Sequence, residues 1–239
     1  MSIIKKIFSS FLFIFPLFFF IFIPHVRAAD EFSVDTIVTY SVGEDGKTKV
    51  THEVTLVNNL SDVYATTYTL SLENINVESV HSENSSGLSY PVDIQKEDSK
   101  TNIKVNFSDV VVGRGSERHF FISYINTEFA LRTGEVWEVS IPRMGKNNNF
   151  RSYQVNLNVP KSFGLEAYIS PNPASSKITD TGYVYTFTRE QISDTGVSAG
   201  FGEFQIFTFN LSYHLENPLP RSTTAEIALP PDTAFQKVY

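Results

Sequence analysis

The 239-residue sequence contains no cysteine. That absence excludes disulfides, thiol nucleophiles, Cys-ligated zinc and iron–sulfur clusters from the chain, so its stability has to come from core packing. It also fits a bacterial better than a eukaryotic secreted protein. Sustained helical periodicity is missing too, and there is no heptad, internal repeat or low-complexity tract. Tryptophan occurs once, at Trp137. His-Glu-x-x-His is absent, so the common zinc-protease helix is unsupported, and no nucleophile elbow is assigned.

Positive charge is scarce outside the N-terminus. Without Lys5, Lys6 and Arg27 the chain keeps 16 basic against 26 acidic residues, a net charge of −10. Such a chain repels a phosphate backbone, so nucleic acid is excluded as a partner. The acidic residues are dispersed and read as a solubilising surface. Phe (21) and Tyr (11) are plentiful and suit a β-rich core.

One long apolar run is present, from Ile7 to Pro24, after Lys5-Lys6 and before His25-Val26-Arg27-Ala28-Ala29-Asp30. A charged start, an apolar middle and a Val-x-Ala exit form the pattern of a secretory signal peptide cleaved after Ala28. The competing reading is an uncleaved anchor helix, since the run has the length a span needs. Both readings place the rest of the chain outside the cytoplasm, secreted or at the cell surface.

From Phe32 the pattern has period two. Phe32, Val34, Thr36, Val38, Tyr40 and Val42 share a face, Gly43–Gly46 turns, and Val50, His52, Val54 and Leu56 continue as the second arm of a hairpin. Further strands are predicted at 63–72, 75–81, 88–94, 103–107, 118–125 and 135–141. A turn-rich stretch at 142–150 suggests a boundary. Beyond it the spacing predicts strands at 153–160, 165–170, 183–188 and 204–213, with a loop at 171–176. Thr188-Arg189-Glu190-Gln191 is a capping-box sequence, which predicts one helical turn from Arg189 to about Asp194. Glu216-Asn217-Pro218-Leu219-Pro220 reads as a linker, and 225–229 as a short strand opening a further domain.

The fold class expected is therefore all-β: an antiparallel β-sandwich over 29–141, Ig-like or ribophorin-like, then a smaller β module over 142–215. The signal peptide at 1–28 and a linker with the start of another domain at 216–239 complete the division. The module at 142–215 reads either as a second sandwich or as the missing edge of the first.

Candidate chemistry is sparse. Asp-Thr-Gly occurs at Asp180–Gly182 and Asp194–Gly196, too close in sequence for the two lobes of an aspartic protease, and reads as turns. His52, His81, His119 and His214 stand singly. Glu135 and Glu138 are three apart and face opposite sides of a strand, which does not suit a paired acid and base. Trp137 reads as a core residue, with a sugar-stacking platform as its alternative. Asn59, Asn84, Asn106 and Asn210 each begin an Asn-x-Ser sequon and read as incidental. No residue is assigned as catalytic, cofactor-binding or metal-binding.

Three stretches resemble a known family. They are Gly134-Glu135-Val136-Trp137-Glu138-Val139-Ser140-Ile141-Pro142; Phe201-Gly202-Glu203-Phe204-Gln205 leading to Tyr213-His214-Leu215-Glu216-Asn217-Pro218; and Glu226-Ile227-Ala228-Leu229-Pro230-Pro231-Asp232-Thr233-Ala234-Phe235-Gln236-Lys237-Val238-Tyr239. With the apolar leader they look like the N-terminal region of bacterial exported transglutaminase-like superfamily proteins. The hairpin at Tyr40–Gly46 and the strand at Val54–Asn58 also resemble ribophorin-type β domains. The family's catalytic core uses a Cys–His–Asp triad, and without cysteine no catalytic residue carries over. The resemblance implies a non-catalytic β-rich region that scaffolds or presents a downstream transglutaminase-like domain at the cell surface. The partners it implies are that domain, or a cell-surface protein or glycan. The alternative is a stand-alone secreted adhesin or carbohydrate-binding module. A hydrolase with dispersed acidic residues has no support in the sequence.

Overall fold

The computed structural model describes residues 31–144, 150–203 and 210–229. The first two strands form the expected hairpin, β1 (Phe32–Val42) and β2 (Thr48–Asn58), paired along their full length. Its turn is closed by the Gly43 amide donating to the Lys47 carbonyl and the Gly46 amide to the Gly43 carbonyl. Then come β3 (Thr67–Glu73), β4 (Glu78–Asn84), β5 (Val92–Glu97), β6 (Lys100–Asn106), β7 (Glu117–Asn126), β8 (Ala130–Thr133) and β9 (Val136–Ile141). After the expected boundary lie β10 (Phe150–Pro160), a 3₁₀ turn at Lys161–Phe163, β11 (Glu166–Ser170), β12 (Ser175–Ile178) and β13 (Gly182–Thr188). The single helical turn α1 (Arg189–Ile192) and β14 (Val197–Gly202) follow.

The fold is all-β, built from three sheets. A seven-stranded sheet has the order β12-β13-β10-β1-β2-β7-β4, a four-stranded one β11-β14-β9-β8, and a three-stranded one β3-β6-β5. One face of the large sheet carries Val38, Tyr40, Val50, Val54, Phe120, Ile122, Tyr124, Val155, Leu157, Tyr185 and Phe187, all buried. Period-two alternation puts these side chains on a common face, and each large apolar one contributes about 1.5–3 kcal/mol of burial. Both smaller sheets cover that face. Tyr68 of β3 meets Phe120 edge-on at 5.2 Å, and Phe201 of β14 lies 6.1 Å from Tyr185. One continuous core results.

Strand pairing crosses the boundary expected at 142. β10 pairs in parallel with β1, from Asp35↔Ser152 to Ser41↔Asn158, and β14 pairs antiparallel with β9, from Val197↔Ile141 to Gly202↔Val136. Of the two readings of the later module, the second describes the pairing: its strands complete sheets begun earlier, and the division at 142 does not separate two sheets. The parallel contact is also an exception to the antiparallel pattern expected. β1 is central, so it needs a neighbour on both edges, and the hairpin supplies only one.

Other differences are local. β3 starts at Thr67 instead of Val63, because its partner β6 ends there, at Thr67↔Asn106. β4 and β5 also begin later than expected, at Glu78 and Val92. The four-residue strands β8 and β12 and the glycine-bearing β14 carry too little apolar alternation to be legible. Thr188 caps α1 as expected, its amide donating to Gln191 Oε1 at 2.9 Å, and the turn ends at Ile192. The strand expected at 204–213 lies partly outside the described residues, and 210–213 is not in a strand. Nor is 225–229. The leader at 1–28 lies outside the described residues.

Candidate functional site

A surface cleft lies at the β1–β2 turn, where it touches β8, β9 and the 3₁₀ turn. Glu44, Arg132, Glu135, Trp137, Ser162 and Phe163 line a cleft of about 230 Å³. Trp137 sits on β9 at the rim of the core, half-buried, with its indole stacked on Phe163 at 4.0 Å and 4° between planes. Gly46 makes this possible: a Cβ there would stand 2.8 Å from the Trp137 ring and 3.0 Å from the Ala130 carbonyl oxygen, and its φ is +83°. The Lys47 amide, donating to Asp45 Oδ1 at 3.1 Å, fixes the rest of the turn and holds the Asp45 carboxyl below its ordinary value.

Charge at the cleft mouth is mixed. Arg132 donates from Nε to the Gly134 carbonyl at 2.8 Å and from Nη2 to Glu135 Oε2 at 3.0 Å, and its guanidinium lies 5.9 Å from the Trp137 ring centroid. The cleft is thus lined by an aromatic wall, a hydroxyl, a guanidinium and two carboxylates. Trp137 packs against the core through the Phe163 stack and also lines this cleft.

The remaining candidates do not converge on this cleft. Asp180–Gly182 forms the turn between β12 and β13, where the Gly182 amide donates to Thr179 Oγ1 at 3.1 Å. Asp194–Gly196 forms the turn between α1 and β14, with Gly196 at φ +72°. Both aspartates are exposed, in separate turns. His81, His119 and His214 are exposed and each lies within 3.5 Å of a glutamate, namely Glu83, Glu117 and Glu216. Among the described residues no group of His, Asp and Glu is arranged to hold a metal ion.

His52 is different. It is 6% exposed on the inner face of the large sheet, its ring stacks on Tyr124 at 5.9 Å, and burial lowers its pKa to about 4. The alternation in the sequence placed His52 on the core face but gave no reason to single it out. Arg118 was also overlooked. It is 4% exposed, lies 4.2 Å over the Phe107 ring, and donates to the Tyr90 hydroxyl at 3.1 Å and the Asp109 carbonyl at 2.9 Å. These contacts pin the loop between β6 and β7, in which Asn58 Nδ2 also donates to the Val111 carbonyl at 3.0 Å.

No protein-family model matches the sequence, and no curated protein sequence does. Solved structures similar in fold include an M1 zinc metallopeptidase from Deinococcus radiodurans (12% identity, TM-score 0.43, 73% of this chain and 43% of that one). Also similar are a putative protease from Parabacteroides distasonis (11%, TM-score 0.42, 74% and 41%) and yeast LTA4 hydrolase (14%, TM-score 0.42, 74% and 30%). This chain therefore spans less than half the length of those structures. At such identities and scores the likeness assigns no activity. Among the described residues no helix is long and apolar enough to cross a membrane.

Proposed function

We propose that this chain is an exported, non-catalytic β-rich region that presents a downstream transglutaminase-like domain of the same polypeptide at the cell surface. The observation that supports this reading is the segment Asn210–Leu229, which is exposed and without helix or strand. Pro218 and Pro220 stiffen it, and the Leu219 amide donating to Asn217 Oδ1 at 3.0 Å sets a local turn. Leu211, Tyr213, Leu215 and Ile227 lie exposed along it, apolar material available to a neighbouring domain. The test is the reading frame past the codon for Tyr239 at the native locus. A frame that continues into a domain bearing Cys, His and Asp supports the proposal. A frame entering another catalytic class overturns the transglutaminase-like part, and a stop codon overturns the presenting role.

A second reading, a secreted adhesin or carbohydrate-binding module, draws on the Trp137 cleft. Glycan-array binding by the whole chain that is lost in Trp137→Ala would favour it, and no binding to any glycan would remove it.

A further inference from the structure

Three loops and the entry of the chain into β1 meet at one end of the large sheet. The Asn59 amide donates to the Glu31 carbonyl at 2.9 Å, so the β2–β3 loop begins beside that entry. Asn58 Nδ2 donates to the Val63 carbonyl at 3.1 Å and the Val111 carbonyl at 3.0 Å, tying this loop to the one between β6 and β7. The Tyr90 hydroxyl donates to Asp109 Oδ1 at 2.9 Å and brings in the β4–β5 loop. From these loops Leu60, Tyr64, Leu88, Val110 and Val112 stand 39–64% exposed. Apolar side chains gathered on one exposed surface mark a site of interaction.

The backbone of the β6–β7 loop suits an apolar surrounding. The carbonyls of Asp109, Val111, Val112 and Gly113 accept, in that order, from Arg118 Nη2, Asn58 Nδ2, Ser116 Oγ and the Ser116 amide. Carbonyls paired within the protein avoid the desolvation cost that keeps irregular loops out of hydrocarbon. Tyr64 and Arg114 have apolar bodies and polar tips, as groups at a lipid headgroup layer do. Asp62 offsets Arg114 on the same loops, so the surface attracts no particular headgroup charge.

The sequence supplies the occupant. Six residues, His25–Asp30, separate the apolar run Ile7–Pro24 from Glu31, an extended reach of at most about 25 Å. That run has the length of a membrane span. β14 ends at the other pole, since Phe201 pairs with Trp137, whose ring lies against Gly46 of the β1–β2 turn.

We propose that the pole bearing Leu60, Tyr64, Leu88, Val110 and Val112 docks on the lipid bilayer in which an uncleaved Ile7–Pro24 run is anchored. The apolar tips enter the boundary between headgroups and acyl chains, and the end of β14 points away from the membrane. This docking rests on the exported placement proposed above and on an uncleaved leader. It does not need a downstream domain, so a stop codon after Tyr239 leaves it standing.

The test uses the full chain with its leader, reconstituted in phosphatidylcholine liposomes. With no native cysteine to compete, Val112→Cys, Tyr64→Cys and Ile178→Cys each carry a single nitroxide label. Ile178 is exposed at the opposite pole, pairing with Tyr183 near the end of β10, and serves as the control. Power-saturation EPR compares access of oxygen, which enters the bilayer, with access of a nickel chelate, which stays in water. The oxygen-to-nickel ratio should be several-fold higher at positions 112 and 64 than at 178. Equal ratios at all three positions in chain that floats with the liposomes overturn the docking and leave the presenting role intact. Labels at 112 and 64 shielded from both reagents report a protein contact and also overturn it. Chain that loses its leader and no longer floats overturns it as well.

Discussion

Acidification should act on this fold through His52. The imidazole is stacked on Tyr124 and lies across from Val38 on one side and Ile122 on the other, and burial holds its pKa at about 4 against an ordinary 6.5. The unfolded chain takes up the proton near pH 6.5 and the folded protein only near 4. Between those values the unfolded state holds more protons, so stability falls as the pH falls. The loss is complete below pH 4 at about 3 kcal/mol, and at pH 5 it is already about 2 kcal/mol. In a domain of this size about 2 kcal/mol lowers Tm by about 4–8 °C. The assay is urea unfolding of the chain and of His52→Leu at pH 8, 6.5 and 5. Other titrating groups are common to both proteins, so the difference between them isolates one residue. The variant should lose about 2 kcal/mol less than the parent between pH 8 and pH 5. Parallel losses in the two proteins would refute the reasoning.

Other substitutions probe packing and pairing. Gly46→Ala combines a positive φ with a Cβ 2.8 Å from the indole; a loss of about 2 kcal/mol is expected, read as a lower urea midpoint together with a shift in the emission of the lone tryptophan. Phe120→Ala empties the point where Tyr68 and Phe107 meet a fully buried ring edge-on, and should cost about 3–5 kcal/mol by chemical denaturation. Arg118→Met removes donors from Tyr90 and Asp109 and should cost about 2–3 kcal/mol, whereas Arg151→Ala, which breaks a two-pronged surface pair with the partly buried Asp35, should cost about 1 kcal/mol or less. A chain ending at Ile141 leaves one edge of β1 without β10 and β9 without β14, so it should show no cooperative transition and no near-UV circular dichroism signal.

The legible part of this fold was its local part. Alternation from Phe32 to Val42 and from Val50 to Leu56 located the first hairpin and its buried face, and Gly43–Gly46 located the turn. The capping box at Thr188 located α1. What escaped was pairing at long range. Nothing in Tyr153–Val159 says whether that strand joins its sequence neighbours or returns to β1, because alternation defines a face and leaves the partner open. β14 escaped for a different reason: Val197-Ser198-Ala199-Gly200-Phe201-Gly202 has weak strand propensity, and its position between β9 and β11 overrides that. The cleft was half legible. Trp137 stood out as the lone tryptophan, while Phe163 and Gly46, distant in sequence, became its neighbours only through the sheet packing.

The same pairing bears on how a downstream domain could be carried. Among the described residues the last strand in chain order is β14, yet it is an interior strand, paired on one edge with β9 and on the other with β11. Its end is held tightly: the Gly202 amide donates to the Leu165 carbonyl at 2.9 Å, and a Cβ on Gly202 would stand 2.3 Å from the Glu135 carbonyl oxygen. Extracting β14 would break two ladders at once and withdraw Phe201, which is fully buried beside Tyr185 and Phe163. A force or torque arriving from the C-terminal side therefore meets a strand clamped by pieces of both halves of the sequence. A peripheral edge strand such as β12, paired on one side only, would peel at far lower cost. The order of strands thus makes Val197–Gly202 one of the harder strands of this fold to extract.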